Sequence, residues 1–109
     1  GQLLDTTAAN RLLITVAVEN LDNLVVYPNP YHADRATQPL RFGNVPRDTE
    51  IRIFTAAGVP VRRLEAETEF GGVVWDLRTD QGHPVGSGVY IFIARHGEQE
   101  KRGKILVVR

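Results

Sequence analysis

The sequence predicts an all-β fold, an antiparallel β-sandwich of about seven or eight short strands. Three observations carry that prediction. Runs rich in Val, Ile, Leu and aromatic residues recur along the chain, each bounded by Gly, Pro, Asn or Asp. The boundaries fall at the spacing of roughly 8–12 residues expected of short sandwich strands. No stretch keeps a convincing helical period of apolar residues.

Residues 1–11 are mixed and polar, and Leu12–Val18 is the first strand candidate. Glu19–Asn23 reads as a turn, because Asn and Asp bond nearby backbone. Residues 1–23 are therefore set apart as a leading strand or linker, pairing with the sandwich or closing a preceding domain, and 24–109 form the main domain. Leu24–Tyr27 runs into Pro28-Asn29-Pro30-Tyr31. Each proline fixes its own φ, lacks an N–H and holds the residue before it extended. Such a segment is rigid and confined to the edge or approach of a sheet.

Leu40-Arg41-Phe42 is a short strand ending at Gly43-Asn44-Val45-Pro46. Ile51–Thr55 alternates, with Ile51 and Ile53 inward and Arg52 outward. Ala56-Ala57-Gly58 is a tight turn in which Gly58 supplies a positive φ. Val59–Leu64 returns, interrupted by Pro60, and Glu65–Glu69 is acidic and expected in solvent. Phe70-Gly71-Gly72 then turns into the most apolar part of the chain.

Val73–Arg95 holds two β-branched and aromatic runs around a segment dense in Gly, Pro and Asp, the pattern of a hairpin with a long connection. Val73, Trp75 and Leu77 share one face. On the second run Val89, Ile91 and Ile93 share a face, and Tyr90 and Phe92 take the other. That strand is expected to lie centrally or to be covered on both sides. Trp75, the one tryptophan, is the expected centre of the core. Lys101–Arg109 closes the chain as the hairpin partner of Val89–Arg95 across a loop at His96–Glu100.

At 109 residues the chain is one domain by length. Thirteen basic and 13 acidic residues leave no net charge, which excludes a global bias toward nucleic acid or an anionic membrane. No apolar run approaches the ~20 residues of a helical membrane span, and no N-terminal signal peptide is visible. The absence of Cys removes disulfides, zinc–thiolate sites and thiol catalysis together. The chain opens on Gly1 rather than Met, so the expectation is a processed or excised piece whose export signal, if it has one, lies upstream.

Several short motifs stand in a telling order. Tyr27-Pro28-Asn29-Pro30 is followed by an Ile51–Leu64 block reading I.IF…G..VR.L. Trp75-Asp76, Gly82, Val85 and Gly88-Val89-Tyr90 come next, and a basic–apolar strand ends the chain. In this order and spacing the chain resembles the type A C-terminal sorting domains of type IX secretion cargo, Ig-like sandwiches found on exported proteins of Bacteroidetes. The resemblance covers about four-fifths of the chain, from Leu24 to Arg109. It implies a domain that carries an upstream passenger across the outer membrane, through the periplasm, to the cell surface or exterior. It also implies two partners, the type IX translocon and a sortase-like protease. The residues matching the family's motif positions are Pro28, Asn29, Pro30, Gly88, Tyr90, Lys104 and Arg109. One departure stands out: the family often carries paired lysines near its end, whereas here Lys104 stands alone with Arg109 last. The strands also look similar to the Ig-like domain of the flagellar hook-cap protein. That leaves a passive reading open, as a spacer, a filament subunit or a weak carbohydrate binder.

For catalysis the residues offer little. His32, His83 and His96 are far apart in expected loops, and Ser87, the one serine, lacks a nucleophile-elbow motif. The expectation is a non-enzyme without cofactor. Asp76 and Asp80 are candidate calcium ligands with nearby carbonyls, although the spacing fits no EF-hand. Asp80 also reads as an Asx-turn residue ahead of Gly82. Lys101, Arg102, Lys104 and Arg109 form a basic stripe of the kind that deters edge pairing.

Overall fold

A computed structural model describes residues 18–67 and 72–109, and the strand expected over Leu12–Val18 lies, but for its last residue, outside them. Eight strands form two facing sheets, as the turn spacing predicts. They are β1 (Val25–Tyr27), β2 (Tyr31–His32), β3 (Leu40–Gly43), β4 (Glu50–Thr55), β5 (Pro60–Glu65), β6 (Val73–Trp75), β7 (Gly88–His96) and β8 (Gln99–Val108). One sheet has the order β1-β3-β6 and the other β2-β8-β7-β4-β5. Every pairing is antiparallel except β2 with β8.

Alternation places the core between the sheets. Leu40, Phe42, Val73 and Trp75 point in from the smaller sheet. Ile51, Ile53, Tyr90, Phe92, Ala94, Ile105 and Val107 point in from the larger. Trp75 is 1% exposed. Its ring meets Tyr90 edge-on at 5.6 Å, and its Nε1–H donates to the Arg78 carbonyl at 3.0 Å. Phe42 and Phe92 make the same kind of contact at 5.2 Å. Leu21, fully buried, also joins this core, and its N–H donates to Gln99 Oε1 at 2.7 Å.

The hairpin expected across Val73–Arg95 does not form. β6 pairs with β3 in one sheet, whereas β7 lies between β4 and β8 in the other. Trp75 and Tyr90 therefore meet across the core and not along a ladder. β7 is central, as expected, with Tyr90 and Phe92 turned inward. Its opposite face is open among the described residues: Val89 is 41% exposed, and Ile91 and Ile93 are half-buried. Glu65 and Glu67 are exposed, as their charge suggests, while Ala66 between them turns inward. Ala66 is buried, its N–H donating to the Thr49 carbonyl and its carbonyl accepting from Asp48 N–H.

Gly58 and Gly103 are among the glycines fixed by geometry. Gly58 takes φ +89° in the β4–β5 turn, where its N–H donates to the Thr55 carbonyl. Pro60 opens β5, where a missing donor is tolerated, and the β4–β5 register shifts by one residue between Pro60 and Arg62. Gly103 stands opposite Phe92 on β7, and a Cβ there would lie 2.5 Å from that ring. The β7–β8 hairpin is thus built around one absent side chain.

Gly103→Ala should destabilise the domain by about 1–3 kcal/mol in denaturant melts, as overpacking does elsewhere. Phe92→Leu in the same chain should recover part of that loss. An unchanged melting curve for Gly103→Ala would refute the packing.

Candidate functional site

Pro28, Asn29 and Pro30 lie about 60–80 positions before the other motif residues named from the sequence, yet all converge at one end of the larger sheet. Tyr27-Pro28-Asn29-Pro30 carries the chain from β1 at the edge of the small sheet to β2 at the edge of the large one. The prolines on either side of Asn29 cannot donate to a ladder. The Asn29 side chain does so in their place. Its Nδ2 donates to the Lys104 carbonyl at 2.9 Å, and its Oδ1 accepts from Leu106 N–H at 3.1 Å. This is the donor–acceptor pattern that a neighbouring strand would present to β8. β2 then continues the edge, with Tyr31 beside Val107 and His32 beside Val108, and Ala33 N–H donates to the Val108 carbonyl.

On the other side of β8, Gly88 stands opposite Val107 and Tyr90 opposite Ile105. The Tyr90 hydroxyl donates to the Gly86 carbonyl at 2.7 Å, closing a tyrosine corner of the kind found in Ig-like sandwiches. Arg109 does not project freely. Its N–H donates to Ser87 Oγ at 2.9 Å and its Nε to the Val85 carbonyl at 2.6 Å. Outward alternation would have freed this side chain, but Arg109 falls on the same side as Ile105 and Val107 and reaches back under the sheet. Lys104 does project, on the opposite face. Asn29, Pro30, Lys104 and Arg109 are exposed, whereas Tyr90 is buried.

The calcium candidates are occupied otherwise. Arg62 Nη1 lies 2.8 Å from Asp76 Oδ1, and its Nε lies 3.7 Å from Asp80 Oδ1, so one guanidinium bridges the two carboxylates. Asp76, and not Asp80, makes the local Asx bond, accepting from Arg78 N–H. Asp80 instead closes the free edge of β5: its Oδ1 accepts from Arg63 N–H and its own N–H donates to the Val61 carbonyl. A cation between these oxygens would have to displace Arg62. Among the described residues no group of three or more His, Asp or Glu side chains gathers around a point where a metal could sit. His32 and His96 belong to β2 and β7 rather than to loops, and His83 sits in the 76–87 connection.

Sequence reasoning missed the clasping roles of Asn29 and Asp80. An Asn held between two prolines was the available signal for the first. It also missed the partners of Arg102 and Lys101 in the basic stripe. Glu100 accepts from both Arg95 and Arg102 at 2.8 Å, and Lys101 Nζ donates to the Asp22 carbonyl at 3.1 Å. The Arg95 hydrogen bond, followed by that of Arg102, holds the Glu100 carboxyl below the ordinary glutamate range.

No protein-family profile matches the chain, and no curated protein matches it. The solved structures similar in fold to this chain include two bacterial proteins. One is PorZ, an essential bacterial surface component of the type IX secretion system of Porphyromonas gingivalis. The identity is 25% over 82% of this chain, with a TM-score of 0.69. The other is dimeric latent PorU from the same organism, 22% identical over 78% of this chain with a TM-score of 0.54. The chain spans 12% of the PorZ chain and 9% of the PorU chain. The motif resemblance and the likeness to PorZ thus meet in one secretion system.

Asn29→Ala should cost about 1–2 kcal/mol, since two backbone groups of β8 lose their partner. Asn29→Asp should fail to restore the loss at neutral pH, because a carboxylate cannot donate to the Lys104 carbonyl. Stability equal to wild type for either variant would dismiss the clasp.

A depressed carboxyl stabilises the fold above its unfolded-state value, and that contribution fades as pH falls through the folded value. The Glu100 carboxyl, followed by NMR, should therefore titrate below free glutamate and move back toward it in high salt. A midpoint at the free value in low salt would contradict the Arg95–Glu100–Arg102 cluster.

Proposed function

We propose that this is a non-catalytic C-terminal sorting and anchoring domain, directing an upstream passenger through the type IX secretion system to the cell surface or exterior. The observation that carries the reading is the convergence of the family's motif positions on the last strand. Asn29 clasps it from one side, the Gly88–Tyr90 segment pairs with it on the other, and Lys104 stands out from its exposed face. The fold shared with PorZ supports the association with that system. In this reading the motif has two layers. Asn29, Tyr90 and Arg109 hold the end of the sheet together, and Lys104 is left for the translocon or the sortase-like protease to read.

A passive Ig-like module is the second reading, and one observation favours it. Asn29, Tyr90 and Arg109 each make an intramolecular bond, which folding alone would require. No hydrolytic role is proposed for Ser87 or the histidines. Ser87 Oγ accepts from the Arg109 N–H, His32 Nδ1 contacts Arg35, and His96 Nδ1 contacts Thr49.

Lys104 separates the two readings, because its loss leaves packing intact. Lys104→Gln should shift stability by no more than about 0.5 kcal/mol. Arg109→Gln should cost about 1 kcal/mol, through the lost bond to Val85. With a reporter fused upstream in a host carrying the type IX system, the Lys104→Gln domain should melt like wild type while export falls severalfold. Wild-type export by that variant would remove Lys104 from the signal. A wild-type fusion that stays inside would favour the passive module.

A further inference from the structure

The outer face of the five-stranded sheet carries an arrangement that folding does not use. Its side chains stand in cross-strand rows. Phe54, Ile91 and Lys104 form one row, and Arg63, Arg52, Ile93 and Arg102 form the next. Val89 and Leu106 face each other at the end nearest the chain terminus, 41% and 39% exposed. A groove of about 270 Å³ opens among Phe54, Thr55, Ala56, Gly58, Ile91 and Ile93. The three-stranded sheet lies on the opposite side, so among the described residues nothing covers this groove.

Charge on the face is unbalanced. Arg52, Arg63, Arg95, Arg102 and Lys104 stand against Glu50, Glu65 and Glu100, within a chain of zero net charge. The carboxylates are engaged away from the groove: Glu50 and Glu65 by Arg63, and Glu100 by Arg95 and Arg102. Among the described residues Arg52, the cation beside Ile93, meets a carboxylate oxygen only at 4.0 Å, on Glu50. Lys104, beside Ile91, has no ion pair among the described residues. An apolar trough is therefore flanked by two cations with spare charge.

We infer that this face docks an acidic, amphipathic segment of a partner protein, apolar side chains filling the Phe54–Ile91–Ile93 trough and carboxylates meeting Arg52 and Lys104. The inference rests on the sorting reading and names the face by which the export system would grip the domain. A second copy fits poorly, because a two-fold contact through this face would set like charges together. A lipid surface fits poorly as well. Ile91 and Ile93 are half-buried, Ile93 between Arg52 and Arg102 and Ile91 between Phe54 and Lys104, so long basic side chains stand between the trough and a flat membrane.

The test uses the reporter fusion in a type IX host, with a photo-crosslinking residue at Val89 and, as control, at Val74 on the other sheet, which is equally exposed at 42%. Light should join Val89, and not Val74, to a protein whose cross-linked peptide is apolar with flanking Asp or Glu. Arg52→Glu should reduce the adduct at least tenfold, and Ile91→Thr should reduce it as well, each variant keeping its melting curve. Equal adducts at both positions would overturn the inference. So would an adduct confined to lipid or to a second fusion molecule, or a basic target peptide, or an adduct indifferent to Arg52→Glu. Export without any Val89 adduct would sink this inference alone, whereas failure of the unmodified fusion to leave the cell would sink the sorting reading and this inference with it.

Discussion

Two hydrogen bonds from one amide side chain decide how the sheet ends. Asn29 reaches the Lys104 carbonyl and the Leu106 N–H, closing a strand edge that its flanking prolines cannot close through their own backbone. β8 is the longest strand, and with β7 it forms the hairpin around which the larger sheet is assembled. Once Asn29 and β2 cover its far edge, the inward residues Ile105 and Val107 are held in register with Tyr90 and Gly88. The other boundary of the same sheet is treated alike, with Asp80 bonding β5 at Arg63 and Val61. Both edges are thus closed by a short side chain and a few residues of backbone. This protects the larger sheet from pairing with another chain and leaves its outer face as the broad open surface.

Much of this was legible in the sequence, because alternation and turn chemistry are local. Ile51, Ile53 and Arg52 point as their spacing requires, and Gly58 takes the positive φ its turn demands. Partner choice was not legible. Val73–Trp75 and Val89–Ile93 have the same apolar pattern whether they pair along a ladder or face each other across a core. Period reports the face of a strand and not its neighbour. The connection from Asp76 to Ser87 settles the matter physically, since Arg62, bonded to Asp76 and to the Arg78 carbonyl, draws it over the open edge of β5. The contact that ties down Arg109 was not legible either. Alternation put it on the inward side, and its length let it reach the Val85 carbonyl.

The candidate site divides in the same way. Pro28, Asn29 and Pro30 could be singled out by residue type, but the role of Asn29 depends on a contact 75 positions away, which no local pattern encodes. The motif residues then separate into those whose bonds turn inward and those whose chemistry faces solvent. Tyr90 belongs to the first group, tied to Gly86 and packed on Trp75. Lys104 belongs to the second. Under the proposed sorting reading, recognition of Lys104 would depend on folding, because the segments that complete β8 are the motif itself.

Amide hydrogen exchange at Leu106 in the unmodified protein addresses that dependence most directly. Leu106 stands on an exposed face, and its N–H donates to Asn29 Oδ1. If the side chain stands in for a strand, this amide should be protected to within about tenfold of the interior β7–β8 amides and open with them as one unit. Exchange at the rate of a frayed, solvated edge, with β7 still protected, would contradict the account.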